Sequence, residues 1–118
     1  MISQKLICLL AQQVHEVNTV FSTQVLSEDK KEWALLTNEQ RAALIKVVRK
    51  TLAEKIEDPE KAHESWLKDM VADGWSFGPE YDETKKTHPN MVTYDQLEKG
   101  QQTKDYLYLA VLKPFYNL

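Results

Sequence analysis

The sequence predicts a mainly α fold: about four helices, with a long ordered loop between the third and the fourth that has room for a short β-ribbon. Three observations predict it. Apolar residues recur at steps of three and four through the first half, helix-capping patterns open the later segments, and the glycines, Gly74, Gly78 and Gly100, all fall in the second half. At 118 residues and 42% hydrophobic content the chain can bury one core and not two, so residues 1–118 are read as a single domain.

The first helix is expected from about Ser3 to Thr23, where Leu6, Leu10, Val14, Val17 and Phe21 share one side. Cys8 lies in its apolar run and is expected to be buried. Ser27 to Lys31 is charged and holds no apolar residue, so it reads as a loop whose far end Trp33, Leu35 and Leu36 pin to the core. Thr37 with Gln40 three residues on forms a capping box, in which each side chain satisfies a backbone donor of the other. The second helix follows, from about Asn38 to Lys55, with Leu44, Val47, Val48 and Leu52 inward and Arg41, Lys46, Arg49 and Lys50 along much of the other side. Asp58-Pro59-Glu60 supplies a cap, a proline at the first helical position and an acid near the positive end of the dipole. The third helix therefore runs from there to about Asp73, and Gly74 ends it.

From Trp75 to Val92 the breakers Gly78, Pro79 and Pro89 prevent a sustained period of either kind. Loops this long in a small domain, when ordered, tend to be functional. Trp75, Phe77, Tyr81, Met91 and Tyr94 argue that this one is folded down. Thr93-Tyr94-Asp95-Gln96 repeats the capping box and starts a brief turn that Gly100 interrupts. The last helix, from about Gln102 to Lys113, points Leu107, Ala110 and Val111 inward and stops at Pro114.

Composition narrows the function. With 15 basic and 18 acidic side chains the net charge is -3, so nucleic acid is not the expected partner. The lone Cys8 has no mate for a disulfide and builds no zinc site, which fits a reducing compartment. The apolar run Leu6 to Ala11 is too short to span a membrane and gives way to Gln12, Gln13, His15 and Glu16, so a soluble cytoplasmic protein with no membrane partner is expected. No cofactor motif is present: neither phosphate-binding glycine loop occurs, and His63-Glu64 lacks the second histidine of the zinc-protease pattern because Leu67 stands there. No nucleophile, base and orienting acid can be assembled, so the chain is not expected to be an enzyme, and a metal-assisted hydrolase using His15, His63 and His88 is a distant reading.

Three groups of residues remain as candidates. His15 and Asn18, three apart beside the apolar stripe of the first helix, either make hydrogen bonds at the core edge, the commoner role, or line a polar pocket. Trp66 shares a helical face with His63, and its ring either packs in the core or stacks on a planar ligand. In the loop, Lys85, Lys86 and His88 stand near Asp82 and Glu83; such lysines can hold a phosphate, although a lysine pair is more often a solvated face.

The residues His63-Glu64-Ser65-Trp66, Asp73-Gly74-Trp75-Ser76-Phe77-Gly78-Pro79, Asp82, Lys85-Lys86-Thr87-His88-Pro89, Met91-Val92, Tyr94, Leu97 and Lys104-Asp105 together resemble the RyR domain. This is the small repeat found in ryanodine-receptor calcium channels and in short bacterial and phage proteins. The motif region covers about residues 58–113, preceded by two N-terminal helices that resemble the stand-alone bacterial and phage members. The resemblance implies a non-enzymatic module, not a channel, that recognises a nucleotide-derived small molecule or second messenger. It makes Trp66 the stacking residue, Trp75 chiefly a core anchor, and Asp82, Lys85, Lys86 and His88 the polar rim; His15, Asn18 and His63 stand beside these as candidate polar residues of a pocket. Departures are modest: Phe77 stands where tyrosine is common, Asn90 where cysteine is, and Thr93 where proline is. The alternative is a protein-interaction or structural module whose aromatic loop packs on a partner or on a second copy.

Overall fold

The structure is a computed structural model that describes residues 2–118. Helix α1 (Gln4–Gln24) opens at Ser3, whose hydroxyl accepts from the Leu6 amide. It packs against both α2 (Asn38–Glu54) and α4 (Lys99–Leu112), and the line facing between them runs through Ile7, Leu10, Ala11 and Val14. Leu6, Val17 and Phe21, expected on that line, stand at its margins and are only half-buried. Cys8 is likewise half-buried rather than enclosed, because it points away from the α2–α4 crease. Further along α1 the buried line turns polar, through Thr19 and Ser22.

The capping box of α2 forms as the sequence indicates, with Thr37 and Gln40 each accepting the other's amide. Val48, Thr51 and Leu52 are buried, while Leu44 and Val47 are half-buried. The Thr51 hydroxyl donates to the Val47 carbonyl and accepts from the Tyr108 hydroxyl at 2.8 Å, so its polar atom enters the core fully bonded. Before α2 a 3-10 turn, Trp33–Leu35, lays Trp33 on the core. Leu35 does not follow it: it faces outward and is 68% exposed, because a turn this tight cannot aim both side chains at one surface. Arg41 holds the turn instead, donating to the carbonyls of Trp33 and Ala34.

Helix α3 (Pro59–Ala72) starts at Asp58, whose carboxylate accepts from the Glu60 amide. It ends in a Schellman motif: Gly74 takes φ +89, its amide bonds the Val71 carbonyl, and the Trp75 amide bonds Met70. The loop beyond carries β1 (Ser76–Phe77) and β2 (Thr87–His88), a two-residue parallel pair. Thr87 also bridges antiparallel to Asp82, so it lies between two backbone partners.

Helix α4 begins at Lys99 and includes Gly100, which the sequence alone marks as an interruption. The glycine does not break the helix, and a Cβ there would meet only the flexible tip of Leu26. The inward side of α4 is Leu109 and Leu112, at 1% and 0% exposure, whereas Ala110 is exposed and Leu107 and Val111 are half-buried. Pro114 enters a 3-10 turn, Lys113–Phe115, which brings Tyr116 back to the core and its hydroxyl to the Ile56 carbonyl. The core joins Ile7, Leu10, Ala11 and Val14 to Val48, Leu52, Leu112 and Tyr116. Among the described residues no helix is long and apolar enough to cross a membrane.

Candidate functional site

Helix α3 buries a single side chain, and it is a histidine. His63 is 3% exposed. Its Nε2–H donates to the Val92 carbonyl at 2.7 Å, which leaves Nδ1 3.7 Å from Asp105 Oδ2 on α4, too long for a direct hydrogen bond. Trp66, one turn along, lies against two imidazoles. His63 stacks on it with centroids 5.4 Å apart and planes at 29°, and His88 stands edge-on at 5.1 Å and 78°. Tyr94 tilts against His63 at 6.2 Å, Tyr81 meets His88 edge-on at 5.5 Å, and Trp75 stacks on Tyr81 at 5.7 Å. The rings thus run in one chain from Tyr94 through His63, Trp66, His88 and Tyr81 to Trp75. Each contact adds about 0.5–1.5 kcal/mol beyond burial, which orders the loop without a large apolar core beneath it. Trp66 remains half-buried rather than enclosed.

A polar relay joins this chain of rings to the other end of the fold. His88 Nδ1 accepts from the Asn90 amide at 3.0 Å, so its proton resides on Nε2. Burial, with the charges of Lys30 and Lys104, pushes its pKa down to about 4, and the ring is uncharged at neutral pH. The Asn90 amide group donates to Gln101 Oε1 at 3.0 Å, Gln101 donates to Glu28 Oε2 at 2.9 Å, and Lys104 Nζ meets Glu28 Oε1 at 2.5 Å. Burial alone would raise the Glu28 carboxyl, but the bonds from Lys104 and Gln101 and the charges of Lys104 and Lys30 hold it below its ordinary value. Lys30, exposed as a residue, is held below the ordinary lysine value by the protein around its ammonium and by Lys104. Asp105 rises to about 7 through burial, against the pull of Lys104.

Of the loop residues singled out in the sequence, Trp66 and His88 come together. The others shape the backbone. Asp82 Oδ1 accepts from the amides of Thr84 and Lys85, at 2.9 and 3.1 Å, and so forms the turn; the Lys85 side chain is exposed. Lys86, at φ 55, sends Nζ to the Asp73 carbonyl at 2.8 Å and closes the carboxyl end of α3. Phe77 and Tyr81, expected to fold the loop down, are 59% and 56% exposed, and Trp75 anchors on Tyr81 rather than in the core. His15 donates from Nε2 to the Lys31 carbonyl at 2.7 Å and tilts toward Trp33. Asn18 Oδ1 is buried with no hydrogen-bond partner among the described residues. His63 belongs to the ring chain itself. Among the described residues no three His, Cys, Asp or Glu side chains are placed to hold a metal ion.

Two surface depressions lie away from this cluster. One, of about 440 Å³, is lined by Val17, Val20, Phe21, Val25 and Leu107. The other, of about 530 Å³, lies between the end of α2 and α3 and mixes lysines such as Lys50 and Lys61 with acids. The sequence reading missed Glu28, Lys30, Asn90, Gln101 and the role of Lys104 and Asp105. Only Lys104-Asp105 carried a signal, as part of the resemblance.

A family model described as the RyR domain matches residues 42–113, more than half of the chain. The chain belongs to the RyR-domain family. The match begins inside α2 and takes in α3, the loop with its rings and α4, so the RyR-type unit holds every ring of the chain from Tyr94 to Trp75. Glu28, which joins the RyR-type unit through Lys104 and Gln101, precedes the matched span.

The two shifted groups set opposed pH responses. Asp105 is raised in the fold, so its contribution is full below its ordinary value of 3.8 and is lost as pH rises through about 7. His88 is lowered, so its contribution is full above its ordinary 6.5 and is lost as pH falls through about 4. Between these limits the two slopes oppose each other. Asp105→Asn is expected to raise the Tm at pH 7 by a few degrees and to steepen the loss of stability below pH 6, a profile that thermal unfolding across pH checks.

Proposed function

We propose that this RyR-type domain is a non-catalytic recognition module that binds a nucleotide-derived small molecule, with Trp66 stacking on the planar base. The observation that carries this reading is the state of the Trp66 ring: fixed by His63 and His88, yet only half-buried. A base that stacks there meets a surface whose rotamer is already chosen, so little ordering entropy opposes binding. Lysines close enough to act on His88 add the cations that phosphates need. The absence of catalysis is supported by the commitments of the two histidines, since His63 holds the Val92 carbonyl and His88 accepts from Asn90. Work in a reducing cytoplasm suits the free Cys8.

Calorimetry against linear and cyclic nucleotides tests the reading. At least one should bind, and Trp66→Ala should weaken it by about 1–3 kcal/mol, roughly five- to 150-fold, without loss of helical signal. No heat from any nucleotide with folded protein would contradict it.

A second reading is favoured by Phe77 and Tyr81, whose exposure gives the loop two aromatic anchors for a partner protein or a second copy. Light scattering separates the two: a concentration-dependent dimer dispersed by Phe77→Ser but unaffected by nucleotide supports this one.

A further inference from the structure

Helix α1 precedes the matched RyR-type span, and its inner line is covered by α2 and α4. Its outer line is not the polar face expected of a helix at the edge of a small domain. Leu6, Leu9, Gln13, Val17 and Val20 follow one another there at steps of three and four, which places them in one stripe along the helix. Leu9 and Val20 stand out from it at 50% and 60% exposure, while Leu6 and Val17 are half-buried at its α4 side. The groove of about 440 Å³ between Val17, Val20, Phe21 and Leu107 continues the stripe onto α4. Single apolar side chains on a surface need no explanation, but a stripe that runs into an apolar groove marks a contact surface.

The charges beside the stripe say what fits it. Lys5 and Glu16 are three helical turns apart, so they lie on the same margin, the one away from Leu6 and Val17. Among the described residues neither has an ion-pair partner. A two-fold axis at the level of Ala11 lays a second α1 antiparallel on the first. It sets Lys5 of each copy against Glu16 of the other on one margin, Leu6 against Val17 on the opposite margin, and Leu9 against the methylenes of Gln13 between them. The stripe is thus its own complement in both charge and apolar surface, which is the requirement of a two-fold interface. A parallel pair would oppose Lys5 to Lys5 and Glu16 to Glu16.

We propose that the outer face of α1 is a self-association surface, on which a second copy of this chain docks its own α1 antiparallel. The stem of Lys5 lies along Val17 of the other copy and carries the ammonium to Glu16. One helix face against another buries an area at the low end of specific interfaces, so the dimer is weak and depends on concentration. Trp66, Phe77 and Tyr81 lie on α3 and the loop, outside this contact, so the pairing is independent of both readings above.

Sedimentation of the whole chain from about 10 μM to about 1 mM reads the surface directly. The parent should pass from monomer toward dimer over this range. Leu9→Lys, which brings two like charges together near the axis, should stay monomeric throughout. Lys5→Glu and Glu16→Lys should each weaken the dimer about tenfold, because each turns two attractions into two repulsions. Lys5→Glu also puts an acid at the positive end of α1, where it favours the helix, so a lost dimer in that variant is not a lost fold. Lys5→Glu combined with Glu16→Lys should restore the parent affinity. A parent that is monomeric at every concentration overturns the proposal, as does a dimer that survives Leu9→Lys, one that Phe77→Ser disperses, or a double variant that fails to recover.

Discussion

His63→Ala is expected to lower the unfolding free energy by about 3–5 kcal/mol, the range for deleting a buried ring. The cost has two parts. The ring is 3% exposed and touches both Trp66 and Tyr94, so its loss leaves a void at the centre of the ring chain. It is also the donor to the Val92 carbonyl, and a buried acceptor left without a partner costs about 1–3 kcal/mol. His63→Gln, whose amide can still reach toward Val92, should recover part of that loss. Urea unfolding followed by circular dichroism measures both variants. If His63→Ala costs less than about 1 kcal/mol, the ring chain does not hold the loop.

Gly78→Ala is expected to cost about 1–3 kcal/mol, the scale of overpacking, although one methyl is added at ordinary φ. The new Cβ would lie 2.6 Å from Thr87 Cβ. Thr87 cannot yield, because its amide and carbonyl are bound to Asp82 and its hydroxyl donates to the Glu80 carbonyl at 2.9 Å. The β1–β2 pair must therefore separate, and with it the placement of His88 against Trp66. Gly100→Ala is the control, since there the obstacle is the flexible tip of Leu26 and alanine gains about 1 kcal/mol of helix propensity. Urea unfolding and amide exchange at Ser76 and Gly78 should separate the two substitutions clearly.

The helices were legible because their signals are local. Thr37 and Gln40, Asp58 and Pro59, and Gly74 each act on backbone groups within four residues, and each does in the fold what its chemistry indicates. Features decided by distant neighbours were not legible. Gly100 resembles a breaker until Leu26 is seen against it. The charged stretch Ser27 to Lys31 holds no apolar residue, and its order comes from Lys104, Gln101 and His15, none of which periodicity connects to it.

The site was legible to a similar extent. Trp66 and His63 share a helical face by spacing, and their stacking follows. The approach of His88 to the same indole depends on the path of the loop, which no spacing rule gives. Asp82 and Lys86 carried the right residue types for a polar rim, yet the turn and the end of α3 claim them first, because unpaired backbone groups there would be costly. The long-range pairing of Lys104 with Glu28, joined through Gln101 and Asn90 to His88, lies outside any motif.

The central claim is that the Trp66 ring is a recognition surface, and the indole N–H resonances of Trp33, Trp66 and Trp75 test it most directly. In a titration of the folded domain with linear and cyclic nucleotides, the Trp66 resonance should move together with the His88 ring signals, while Trp33, which packs on the core, stays in place. A Trp66 resonance that no nucleotide moves, or a response confined to Trp75, would contradict the account.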